Sequence, residues 1–133
     1  MLFNDRFIGV ARMGHALGEG AISPLRYADC RHVHISRRGQ VTGPVDEALA
    51  RIGLERRIAT TVSSFTSALA LARISDMVAS VPERHTGNLR DGMVSLDLPM
   101  PVAPITVSLL WHPRQDGHAA HRWLRGCVLV ACA

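Results

Sequence analysis

Apolar and polar positions fall in short blocks along this chain, and the period of the blocks changes at regular intervals. Phe7-Ile8-Gly9-Val10-Ala11 is a compact apolar run behind a charged start, the pattern of a buried strand. His32-Val33-His34-Ile35-Ser36 alternates, as a strand with two differently exposed faces does. Behind Pro44, the apolar residues Val45, Leu49 and Ile52 predict a helix with one stripe against a sheet, closed by Gly53. Residues 56–62 read as a strand, Ser63-Ser64 as a turn opening a short apolar helix, and the run to Pro82 as a second strand with a proline stop. After Pro82 the pattern loosens through Thr86-Gly87-Asn88. Val94-Ser95-Leu96-Asp97-Leu98 then alternates as a strand, residues 105–111 form another, and a last helix carries Trp123 and Leu124.

Strand, helix, strand, helix, strand with short joints argues an α/β unit with a largely parallel sheet, nearly complete within residues 28–84. At 133 residues the chain fits one modest domain. Its 47% hydrophobic and 20% charged content describes a globular protein, not a disordered one. No apolar run approaches the roughly 20 residues of a spanning helix, and Asn4, Asp5 and Arg6 stand where an export signal would be apolar. Three scattered cysteines, Cys30, Cys127 and Cys132, give no disulfide framework, so a cytoplasmic location is expected.

All 15 cationic side chains are arginine, a bias that a GC-rich genome explains and that anion recognition also uses. The net charge of +4 raises nucleic acid as a partner, but the arginines are dispersed and aromatic residues make up only 5% of the chain. Direct DNA binding is therefore not expected. Cys30, His32 and His34, or His118 with His121, lack the convergent spacing of a zinc site. No Gly-x-Ser-x-Gly elbow marks a hydrolase, and no cofactor motif occurs.

Ser63 and Ser64 stand where free N–H groups and the helix dipole favour an anion, beside their ordinary capping role. Ser36 and the neighbouring Arg37 and Arg38 end a strand, where open α/β sheets place ligands, although an arginine there also fits a solvated turn. Phe65 follows the serines as a pocket wall or a core contact.

Several segments, in order, resemble LysR-type transcriptional regulators. Asp5-Arg6-Phe7 through His15-Ala16-Leu17 is similar to the family strand that ends in His-Pro-Leu, with Ala16 in place of proline. Ser36-Arg37-Arg38-Gly39 resembles its Ser-Arg-Gly turn, and residues 60–71 resemble the segment lining its effector cleft. Residues 71–78 sit where many members carry a Val-Ala-Ala-Gly-Leu-Gly-like run, here with Ser75 and Asp76. Residues 110–114 and 120–125 resemble the closing strand and helix of one branch.

The resemblance implies two subdomains of the type II periplasmic-binding-protein kind, one nearly complete here and one partial. Residues 1–27 would be an edge strand of the first subdomain and the crossover. Residues 28–84 would be the second subdomain, and 85–133 the return strand and C-terminal helix of the first. It also implies a non-enzymatic effector-binding role, with Ser36 and Ser63 facing a small molecule. Their hydroxyls and Arg38 suggest an anionic ligand, and subdomain closure would carry the signal. The family's helix-turn-helix has no counterpart here, so a C-terminal fragment of a regulator, prone to self-associate, is expected. A small enzyme on a binding-protein-like fold and a basic nucleic-acid-binding protein are the alternatives.

Overall fold

The computed structural model describes residues 3–36, 43–107 and 119–131. Along the chain run β1 (Phe3–Asp5), β2 (Phe7–Arg12), α1 (Pro24–Ala28), β3 (Arg31–Ile35), α2 (Pro44–Ala50), β4 (Arg57–Val62) and α3 (Phe65–Arg73). Then follow β5 (Val78–Pro82), α4 (Glu83–Thr86), β6 (Met93–Asp97), β7 (Ile105–Val107) and α5 (Ala119–Ala131), with 3-10 turns at Ala16–Gly18 and Gly87–Arg90. Two compact units result: Arg6–Ala103, and Met1–Asp5 with Pro104–Ala133. In the smaller unit β1 pairs antiparallel with β7. The rest of the expected 105–111 strand, with residues 108–118, lies outside the described residues.

The larger unit is built on a sheet of order β4-β3-β5-β2-β6. β3 pairs parallel with β4 and β5, whereas β2 runs antiparallel to both β5 and β6. Residues 28–84 are thus the middle of this unit. Alone they would leave the edge of β5 open, and β2 closes it through the register Ile8↔Val81 and Val10↔Ala79.

Both faces of the sheet are covered. On one, Tyr27, Ala28, Val45, Ala48 and Leu49 of α1 and α2 pack with Ala11, Leu17 and Val78. On the other, Ala68, Leu69 and Ala72 of α3 meet Ile8, Val10, Val33, Ala79 and Val81. The alternation in β3 therefore does not separate a wet face from a dry one: His32 and His34 are as buried as Val33. They face the α1–α2 layer, where polar partners receive them.

The predicted stripe of α2 differs at one position. The helix ends at Ala50 and Ile52 is half exposed. Gly53, at φ +74°, reverses the chain, and the Leu54 N–H donates to the Leu49 carbonyl at 2.9 Å, as in a Schellman close. Leu54 then joins the core in place of Ile52.

Short tethers fix the turns around the sheet. The Leu17 N–H donates to His15 Nδ1 at 2.9 Å, and His15 Nε2 lies 2.8 Å from the Asp76 carbonyl. A carbonyl only accepts, so Nε2 carries the proton, and His15 ties its own turn to the α3–β5 loop. Arg73 donates to the carbonyls of Leu89 and Asp91, while Arg90 reaches Thr86, Ser95 and the Glu83 carbonyl. These contacts hold α4 and the turn after it, which the sequence pattern did not reveal.

Gly9 marks the closest packing of the sheet. A Cβ there would lie 3.0 Å from Tyr27 Cε2 and 3.2 Å from its hydroxyl oxygen. Tyr27 is buried and its phenol is bonded to Ser80, so it has little room to yield. Gly9→Ala is expected to cost about 1–3 kcal/mol, read as a lower urea midpoint with an unchanged slope.

Candidate functional site

The C-terminal ends of β3 and β5, the N-terminal end of the reversed strand β2 and the starts of α2 and α3 converge in the larger unit. They enclose a cavity of about 100 Å³. Val33, Val45, His34, Arg56 and Ser80 are buried and form its floor, while Phe7, Ile35 and Phe65 are half-buried walls nearer the surface. Its apolar lining suits a hydrocarbon ring or short branched body, and its few polar groups would orient that body.

The polar groups are held by partners. Asp46, in the first turn of α2, accepts from Arg56 Nε and Nη2 at 2.7 Å each and from the Gly43 N–H at 2.9 Å. Burial alone would push the Asp46 carboxyl up. The hydrogen bonds and charge of Arg56, with the Gly43 N–H, outweigh it and hold the group below the usual carboxylate range. Arg56 Nη2 also lies 2.9 Å from His34 Nδ1. A guanidinium only donates, so His34 accepts at Nδ1 and keeps its ring proton on Nε2. Nη1 of Arg56 is left without a hydrogen bond among the described residues.

A second polar pair lies behind the floor. The Tyr27 hydroxyl bonds Ser80 Oγ, and burial pushes the phenol up to about 12, so it keeps its proton in neutral solution. His32 Nε2 donates to the Tyr27 carbonyl at 2.7 Å, with its ring edge-on to Tyr27 at 4.9 Å. Its Nδ1 is buried without a hydrogen-bond partner among the described residues.

Of the residues expected from sequence, Phe65 lines the cavity and also meets His85 edge-on at 5.5 Å. Ser64 caps α3, its Oγ accepting the Ser67 N–H at 3.1 Å. Ser63 is exposed, and Ser36 is half-buried with its N–H donating to the Val62 carbonyl at 2.9 Å. Arg37 and Arg38 lie outside the described residues. Arg56 and Ser80 were not singled out by sequence, and His34 was weighed only as a metal ligand. The one available signal was a serine inside the otherwise apolar strand Val78–Pro82, every residue of which is buried.

A larger hollow of about 430 Å³ lies between the end of α2 and β4, also beside Arg56. It is lined by Asp46 and Glu55, which repel an anion, whereas the smaller cavity has no acidic residue among its described lining residues. No group of three or more metal-ligating side chains occurs among the described residues, and no helix described is long and apolar enough to cross a membrane.

The whole chain, residues 1–133, matches the LysR substrate binding domain. It is 32% identical over 136 residues to the HTH-type transcriptional regulator SyrM of Rhizobium meliloti (strain 1021), covering 99% of this chain and 41% of that protein. Among solved structures it resembles a probable transcriptional regulator, PA0477 of Pseudomonas aeruginosa. There the TM-score is 0.77 at 28% identity, over 96% of this chain and 42% of the other. The effector binding domain of QuiR in complex with shikimate shares the fold, with a TM-score of 0.66 at 15% identity over 98% of this chain and 62% of that one. The chain thus spans about two fifths of the length of the curated relatives it matches.

Proposed function

The chain belongs to the LysR substrate-binding-domain family, with its type II periplasmic-binding-protein-like fold, and on that premise we propose that it binds a small carboxylate effector for a transcriptional regulator. The observation that carries the reading is the cavity at the ends of β3 and β5, with Arg56 in its floor and the Nη1 group unspent. A guanidinium already paired with Asp46 still offers two N–H donors, and a low-dielectric pocket strengthens a charge-assisted bond. The apolar walls would hold the body of the ligand. Ser63, Ser64 and Ser36 form the outer polar rim in this reading.

In this reading the role is non-enzymatic, in keeping with relatives that are named transcriptional regulators. Occupancy would be passed on by subdomain closure in a cytoplasmic regulator, and specific DNA contact would not reside in this chain. Trp123 and Val130 of α5, 72% and 78% exposed, fit self-association.

Thermal melts with benzoate, shikimate and uncharged benzamide test the proposal. At least one carboxylate should raise the melting temperature in a saturable, concentration-dependent way, and benzamide should not. A transition unmoved by every carboxylate would overturn it.

A further inference from the structure

The cavity floor holds a second polar point that a carboxylate on Arg56 leaves unused. Ser80 lies within β5, 6% exposed, and lines the cavity. Among the described residues its Oγ has one partner, the Tyr27 phenol. A hydroxyl has one proton to give and two lone pairs, so this bond leaves capacity for another. Tyr27 is itself immobile: its ring is buried, stands edge-on to His32 and fills the space beside Gly9. Around Ser80 the lining is largely apolar, with Phe7, Val33, Ile35 and Phe65. A fixed hydroxyl in such a lining favours a ligand that carries an oxygen, because an oxygen placed against it gains a bond that a bare ring lacks.

We propose that Ser80 reads an uncharged oxygen on the ligand, with Tyr27 as its positioning residue. The effector class is then a small ring carboxylate bearing a hydroxyl. This rests on the carboxylate reading of the same cavity. The two contacts divide the labour: Arg56 meets the charge, and Ser80 selects among acids of one size.

Calorimetric titration of the full chain with benzoate and its three monohydroxy isomers tests the division. At least one isomer should bind about five- to tenfold more tightly than benzoate, the worth of one hydrogen bond. Ser80→Ala should abolish that gain, so that the hydroxy acid and benzoate then bind about equally. Tyr27→Phe should reduce the gain, because Ser80 loses its anchor. A merely structural role would weaken benzoate and the hydroxy acids alike. If Ser80→Ala fails to fold with the phenol orphaned, the double variant Ser80→Ala/Tyr27→Phe leaves neither partner unpaired and carries the same comparison. Three isomers no tighter than benzoate, or a gain that survives loss of Ser80, overturns this inference alone. No binding by any of the four acids overturns it, and the carboxylate reading falls with it when shikimate also leaves the melt unmoved.

Discussion

Arg56→Met is expected to destabilise the larger unit by about 3–5 kcal/mol, the largest loss from any single change at this site. The cause is what remains behind. Asp46 would keep its charge at a position where its side chain is only 14% exposed, with the Gly43 N–H as its last strong partner. His34 would lose the donor that fixes its ring. Asp46→Asn should also cost stability, since Arg56, with 4% of its side chain exposed, would then be the uncompensated charge. The double variant Asp46→Asn/Arg56→Met removes both charges, and its loss should fall well short of the sum of the two single losses. Urea unfolding of the four proteins gives the coupling directly. Strict additivity would mean that the two side chains do not interact as described.

Stability should fall by about 3 kcal/mol as the pH is lowered from roughly 6.5 to 4, and His32 is the reason. Burial is the main force lowering its folded value to about 4, with the Arg56 charge adding to it and the Tyr27 carbonyl and Asp46 opposing. The unfolded histidine titrates near its ordinary value of about 6.5. Between these values the unfolded chain takes up a proton that the folded chain refuses, so acid favours unfolding in that window. Above about 6.5 neither state binds the proton, and below about 4 both do, so the His32 contribution is flat on either side. Asp46 acts in a separate range. Its depressed carboxyl stabilises the fold above the ordinary carboxylate value, and that support is lost as the pH falls through its lower folded value. Unfolding measured at intervals from pH 7 to pH 4 should show the slope, and His32→Gln should flatten it. An unchanged slope in that variant would reassign the effect to other groups.

Much of the larger unit was legible in the chain because its signals are local. Apolar runs marked β2 and β5, Pro44 and Gly53 bounded α2, and the serine turn marked the start of α3. The elements that escaped depend on distant partners. α4 and the turn after it are held by Arg73 and Arg90, whose acceptors no local pattern announces. The antiparallel place of β2 likewise depends on which sheet edge it closes. The site divides the same way. Phe65 was visible as the first residue of a capped helix. Arg56 becomes a site residue only when α2 brings Asp46 to it and β3 brings His34, and Ser80 only when Tyr27 reaches across from α1. In β3, polar alternation signalled paired burial instead of solvent, a distinction that only the covering layer decides.

A carboxylate entering the cavity floored by Arg56 should be visible residue by residue. Backbone amide shifts of the isotope-labelled chain, followed by nuclear magnetic resonance during titration with benzoate, test it most directly. Saturable changes should centre on Val33, His34, Ile35, Gly43, Phe65 and Ser80, and be lost together in Arg56→Met. Changes confined to α5, or to the hollow between α2 and β4, would contradict it.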